Sequence, residues 1–420
     1  MATATHATPF YGWRVVAAAF VLAAFGWGIG FFGPPVFIAT IHATRGIPVG
    51  VISAAVTVHF LVGAAVGATL PFHYRRFGAP AVTRAAAAAV AAGLLGWALA
   101  AEAWQLFAAA PLTGAGWGGM SAAAINAVIA PWFERGRPAA LAMAYNGGSV
   151  GGIVFSPLWV AAIGALGFPL AAAAVGAVAL VVLWALAETV LSRTPRGMGQ
   201  SPDGLRSGVE AVCHASPAAR PLPGLALWCD RRFATLALAM ALGLFAQIGL
   251  VAHLFSLLVP ALGARQAGLA MGLVTALAMA GRTLTGWLMR PGADRRMVAA
   301  LGYAAQLAGS LAFLAADGTD VPLLLIGAAL FGVGFGNATS LPPLIAQVEF
   351  VPREVPRVVS LIVGMSQAGY AFAPAAFGLI RDLAPRAAEA APGAAPWLYA
   401  AAALAQGLAI AAFLAGRRRG

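Results

Sequence analysis

Arg282 lies where lipid should be, inside the apolar stretch from Gly268 to Met289, which is long enough to cross a bilayer. A cation at such depth costs roughly 2.5–3.5 kcal/mol on insertion scales. No Asp or Glu lies deep in any apolar stretch to offset it. A planar guanidinium grips a carboxylate through two parallel N–H···O bonds. A buried cation without a built-in partner therefore points to an anion that arrives from outside. Arg282 precedes Arg290 by eight residues, which at 1.5 Å per residue is about 12 Å into the membrane. The alternatives are a structural arginine held by backbone carbonyls and one that reaches a loop acid such as Asp294.

Neutral polar residues recur at similar depths. Tyr145 and Asn146 lie seven or eight residues into one stretch, and Asn126 is comparably deep in the stretch before it. Gln247 and Gln367 fall nearer mid-stretch in two others. All five are candidate donors to a carboxylate or hydroxyl, and each alone also reads as a helix–helix hydrogen bond. His59 and His253 titrate near neutrality and are candidate proton relays, or polar packing residues. Without a deep carboxylate, proton coupling would need a histidine or the substrate's own acid, so exchange and facilitated movement stay open. The rows Gly114-x-Gly116-x-Gly118-Gly119 and Gly332-x-Gly334-x-Gly336 lie within apolar stretches, where small residues let backbones approach. Trp27, Phe31, Phe32 and Trp117 are candidates for an apolar pocket wall or for core.

The chain is 61% hydrophobic and 9% charged, against roughly 25% charged in soluble domains, so it belongs in lipid. Its +12 charge is spread between apolar stretches and forms no basic patch for nucleic acid. All 25 basic residues are arginine, which excludes a Walker A lysine and Schiff-base chemistry. No clustered His, Asp, Glu or Cys suggests a membrane enzyme, and no cofactor is expected. Cys213 and Cys229 share one polar loop with His214 at no standard metal-site spacing. Val15 to Phe32 is too long for a cleaved leader and reads as a first span.

Twelve apolar stretches can be drawn, near 12–34, 49–71, 82–101, 105–131, 138–163, 168–190, 232–258, 267–289, 297–315, 321–347, 356–380 and 396–415. Pro34 and Pro35 either end or kink the first. The expected fold is all-α and polytopic, with bundles 1–190 and 232–420 joined by a cytoplasmic loop, 191–231. With the N-terminus in the cytoplasm, twenty arginines fall on inner segments and four (Arg45, Arg265, Arg381 and Arg386) on outer ones. Both termini are then cytoplasmic. A shift of 218 residues lays Gly114, Gly116, Gly118, Arg135, Pro138 and Gly151 on Gly332, Gly334, Gly336, Arg353, Pro356 and Gly369. It also lays Arg14, Phe37, Gly50, Gly63 and Leu70 on Arg232, Phe255, Gly268, Gly281 and Leu288. A repeat of six spans makes the two bundles parallel, so that they can rock about a central site.

The chain resembles the major facilitator superfamily over nearly its whole length, and within it the monocarboxylate transporters and oxalate:formate antiporters. Tyr11-Gly12-Trp13-Arg14-Val15-Val16 is similar to that group's opening of span 1. So are Trp132-Phe133-Glu134-Arg135-Gly136-Arg137, Gly147-Gly148-Ser149 and Phe155-Ser156-Pro157-Leu158. Arg193-Thr194-Pro195 and Ser201-Pro202-Asp203-Gly204 resemble bacterial members. Gly281-Arg282 and Gly286 match the group's buried substrate arginine. The resemblance implies a secondary carrier of small organic anions, most simply monocarboxylates, working by alternating access. It further implies a proton or counter-anion as partner, a functional monomer and a bacterial inner membrane. The alternative is an exporter of drugs or other amphipathic metabolites on the same fold. Two departures stand out. The superfamily's Asp-Arg-x-Gly loop reads Arg75-Arg76-Phe77-Gly78, so its acid-based latch cannot form the same way, and the acid one turn before the arginine is Ala278.

Overall fold

A computed structural model describes residues 10–134, 136–204, 225–289, 293–351, 354–383 and 391–417. Arg135, Arg206, Cys213, His214, Arg220, Arg290, Arg353, Arg386, Arg418 and Arg419 lie outside these. The described chain is helical throughout, as lipid requires of a backbone that must satisfy its own polar groups. Span 1 comprises Gly12–Gly30 and Gly33–Arg45, and spans 2 and 3 share Val49–Leu99. Span 4 is Ala103–Gly119 plus Ala122–Ile129, span 5 Arg137–Leu166 and span 6 Phe168–Leu186. Spans 7, 8 and 9 are Arg231–Leu262, Ala264–Leu288 and Arg295–Ala315. Span 10 is Val321–Phe335 plus Asn337–Glu349, span 11 Val355–Ala371 plus Ala373–Leu383, and span 12 Pro396–Ala415. Among the described residues eleven of these are long and apolar enough to cross a membrane, spans 1, 10 and 11 despite a break within each. The twelfth, span 4, is broken at Met120 and Ser121 into pieces of 17 and 8 residues.

Several boundaries differ from the sequence reading. Pro34 and Pro35 do not end span 1. They occupy the first turn of its second helix, where a missing N–H costs nothing, and the span runs on to Arg45. The arginine-bearing connection between spans 2 and 3 is helical on both sides of Gly78, the one non-helical residue within Val49–Leu99, at φ 78° and ψ 160°. Glycine alone reaches that region cheaply. Arg45, expected in an outer loop, donates to the carbonyls of Trp97, Ala98 and Ala100 at the end of span 3. Residues 191–204 are not a slack linker, because Asp203 docks on the turn before span 5. Its carboxylate accepts from Glu134 N and Gly136 N, both at 3.0 Å, and its own N–H donates to Trp132 O at 2.9 Å.

The glycine rows are packing seams. A Cβ added to Gly114 would lie 2.4 Å from His59 O, and one on Gly336 2.0 Å from Ala278 O. Spans 2 and 4 in one bundle, and 8 and 10 in the other, can approach this closely only because those side chains are missing.

Candidate functional site

Helix breaks near mid-membrane leave carbonyls without their usual partners. Three of the polar side chains singled out by sequence, His59, His253 and Arg282, bond to carbonyls at these breaks. Pro34 has no N–H for Gly30 O, and His59 Nε2 takes its place at 3.0 Å. A carbonyl only accepts, so Nε2 carries the proton. The other ring nitrogen meets Thr113 Oγ1 at 3.0 Å, and Thr113 also receives Trp97 Nε1 at 3.1 Å. Trp159 Nε1 serves Gly28 O at the same break, at 3.1 Å. His253 Nε2 donates to Pro374 O at 3.1 Å where span 11 restarts. Both histidines are buried and hold helix breaks together.

Arg282 follows this pattern in part. Its Nε donates to Gly336 O at 2.9 Å, at the break in span 10. Asp294 does not reach it. That acid caps span 9 through Arg296 N and Met297 N and pairs with Arg417 Nε at 2.6 Å. Among the described residues Arg282 has no acidic partner. Among the described residues its terminal guanidinium nitrogens have no hydrogen-bond partner.

The packing of span 8 on span 5 sets where Arg282 faces. Cβ atoms added to Gly152 and Gly268 would lie 2.5 Å from Thr275 Cγ2 and 2.9 Å from Val160 Cγ2. The two helices are antiparallel, and two turns return each to the same face. Stepping seven residues down from Gly152 and Thr275 reaches Tyr145 and Arg282. These two therefore stand at one level on the facing stripes of spans 5 and 8, below the contact. Tyr145 is joined there by Asn126. Asn126 Nδ2 donates to the Tyr145 hydroxyl and, at 2.9 Å, to Ala122 O, while Tyr145 donates to Ala122 O at 3.3 Å. Asn146 is exposed beside them. Gln247 is buried with its Oε1 unpaired among the described residues. Gln367 is half-buried, within hydrogen-bonding reach of Tyr370. The structure thus groups Tyr145 with Asn126, sets Arg282 opposite, and leaves Gln247, Gln367 and both histidines nearer the closed end.

Rings form the roof of this space. Phe31 and Phe335 approach across the bundles at 6.4 Å between centroids, and Phe60 and Tyr370 at 6.0 Å. Above them Pro34, Pro35, Val56, Ile248, Val251 and Ala252 line a small apolar gap. These inter-bundle contacts run from mid-span to the arginine-poor end. Toward the arginine-rich end Asn126, Ala142 and Asn146 are exposed.

One ionic element was hidden from sequence reading. Arg296, counted there among loop arginines, is 2% exposed and grips Glu349 with two bonds of 2.6 and 2.8 Å. It also donates to Thr235 Oγ1 and Arg232 O, at 3.0 and 2.7 Å. It therefore ties spans 7, 9 and 10 at the arginine-rich end. The only sequence signal was an acid at the end of span 10, fifty-three residues away.

The sequence profile described as Major Facilitator Superfamily matches residues 15–374. The chain belongs to that superfamily, a family of transporters built for alternating access. Crystal structures share its fold. A point mutant of the nucleoside transporter NupG aligns at TM-score 0.74 and 14% identity, covering 96% of this chain and 100% of its own. A bacterial homolog of the human lysosomal transporter Spinster, in an inward-facing, occupied conformation, aligns at 0.66 and 17%, covering 97% and 95%. A D-xylose-proton symporter aligns at 0.69 and 15%, covering 96% and 97%. No curated protein sequence matches this one.

Proposed function

We propose that this transporter moves a small organic monocarboxylate, with Arg282 as the anion's counter-charge. The observation that carries this reading is the half-buried guanidinium near mid-membrane on the stripe of span 8 that faces span 5. One of its nitrogens is spent on Gly336 O, and no acid among the described residues pairs with it. Tyr145, Asn126 and Asn146 stand opposite as neutral groups for the substrate's hydroxyl or keto oxygen, and Gln247 and Gln367 are further neutral contacts near the roof. The monocarboxylate transporter resemblance of the Trp132–Arg137 and Gly281-Arg282 segments supports the same substrate class.

The halves that rock are 1–190 and 232–420, with 191–231 between them. The arginine-rich end faces the cytoplasm of a bacterium, both termini included, so the described state is open inward. Proton coupling through His59 or His253 draws less support, because each ring is committed to a helix break. The bond from Arg282 to Gly336 O favours one rival, an exporter of amphipathic compounds in which Arg282 is purely structural.

Substrate charge separates the two. A dianion brings a second charge into a low-dielectric site with one cation, at a cost of about several kcal/mol. In competition binding at pH 7, lactate or pyruvate should displace a bound monocarboxylate more effectively than oxalate or succinate. Lowering the pH to 5 should narrow the gap, most for succinate. Binding of apolar amines or neutral amphiphiles with no response to any carboxylate would establish the exporter instead.

A further inference from the structure

The two seams that close the arginine-poor end are related by the repeat, yet they are built differently. Gly50 on span 2 packs against Gly378 on span 11, and a Cβ on Gly378 would lie 3.1 Å from Gly50 Cα and 2.9 Å from Ser53 Cβ. The shift of 218 residues carries Gly50 and Gly378 onto Gly268 and Val160, which are themselves in contact. One turn beyond Gly378 stands Asp382. Its counterpart under the same shift is Gly164, whose added Cβ would meet nothing within 4 Å.

Asp382 does something its counterpart cannot. Span 2 starts at Val49 after Pro48, so the Gly50 N–H is one of the first-turn donors with no intrahelical acceptor. Asp382 Oδ2 accepts it at 2.6 Å, from the opposite bundle. Gly50 leaves the room, since its Cβ would lie 2.5 Å from that oxygen. The neighbouring Arg381 anchors the end of span 11 inside its own bundle, donating to Ser256 Oγ at 2.5 Å. Adjacent residues thus divide the work, one fixing the helix to its own bundle and the other reaching across. A carboxylate at a helix N-terminus gains both the hydrogen bond and the helix dipole, and the gain is small enough to be broken in each cycle.

We propose that Asp382 is a gating residue. Its carboxylate caps span 2 only while the arginine-poor end is shut, and this cap biases the transporter toward the state open at the arginine-rich end. The proposal requires alternating access but no particular substrate.

The test uses full-length protein in nanodiscs, with Cys213 and Cys229 replaced by serine and one reporter cysteine at a time. Val56→Cys reports the gap beneath the closed end, and Ala142→Cys reports the cavity at the other end. Asp382→Ala should raise maleimide labelling of Val56→Cys about fivefold, the population shift equivalent to one typical lost cap. It should lower labelling of Ala142→Cys in step. Asp382→Asn keeps an acceptor and should stay within about twofold of the parent, since Asn and Asp cap comparably. If Asp382→Ala does not fold, Gly50→Ala displaces the same carboxylate with a methyl group and carries the same expectations. Parent-like labelling at Val56→Cys would overturn the proposal. So would a rise there without the matching fall at Ala142→Cys, which would mean local fraying rather than a shift between states.

Discussion

The two bundles keep the same glycine seams but have parted company in charge. The C-terminal bundle holds Arg282 near mid-membrane and a buried Arg296–Glu349 pair at its arginine-rich end. At the equivalent end of the N-terminal bundle the shift of 218 residues places Gly78 opposite Arg296 and Pro131 opposite Glu349. There, aromatic rings and a borrowed cap hold the bundle's own segments together instead. Phe10 packs on Phe133 at 5.3 Å, Tyr11 on Trp132 at 5.5 Å, and Asp203 docks from the central loop. The backbone approach that builds the scaffold depends on small residues at fixed spacing, so it survives in both copies. Charges need a partner or a ligand, and each copy has solved that separately. Under the function proposed above, this amounts to a division of labour, with the anion's counter-charge in one bundle and neutral partners in the other.

The largest expected effect removes the counter-charge. Arg282→Gln should abolish carboxylate uptake in proteoliposomes, by about 100-fold or more, while the protein still inserts. Arg282→Lys should keep little activity, because a point charge lacks the guanidinium fork. Tyr145→Phe, on the facing stripe, should lose only about fivefold through KM, the order of one hydrogen bond. Equal losses from both bundles would erase the proposed division.

Next is stability. Glu349→Gln leaves Arg296 buried without its ion, and breaking such a pair costs about 3 kcal/mol or more. A drop in Tm of several degrees in detergent, larger than any single polar substitution at the N-terminal bundle's matching end, would sharpen the contrast. Asp203→Ala should cost less, about 1–2 kcal/mol for a lost cap. It should show as faster proteolysis within residues 191–204. No change in cleavage would mean that the rings, not the carboxylate, hold this segment.

The smallest effect concerns Asp294. Partial burial pushes its carboxyl upward, but the Met297 N–H, Arg417 and the Arg296 N–H outweigh this and hold it below the ordinary carboxylate range. A depressed carboxyl contributes stability above its unfolded pKa, and that contribution is lost as pH falls through the folded value. Tm measured from pH 6 down to pH 3 should therefore fall less steeply in Asp294→Asn than in the parent. Identical slopes would remove Asp294 from the list of structural charges.

Much of this was legible in the linear chain. Apolar length fixed the spans, because lipid admits no other backbone solution at that length. The repeat was written in Gly114–Gly118 and Gly332–Gly336, because backbones at contact distance exclude side chains. The depth of Arg282 followed from counting residues. What the chain could not disclose were pairings between distant segments. Pro34 and Pro35 carry the same letters whether they end a helix or begin one, and only in the folded chain do they open a second helix, whose Phe37 packs on Trp159 of span 5 at 4.8 Å. Arg296 reads as a loop arginine until span 10 brings Glu349 to it. Asp203 reads as a linker acid until the 132–136 turn presents two unpaired N–H groups. Asp382 reads as a residue of an outer end until span 2 arrives from the other bundle with the Gly50 donor. By itself the sequence determined which segments enter the membrane and how much charge each carries. Tertiary structure alone decided which buried donors and acceptors meet, because a hydrogen bond or ion pair forms at 2.6 to 3.1 Å and spacing along the chain says nothing about distance across it.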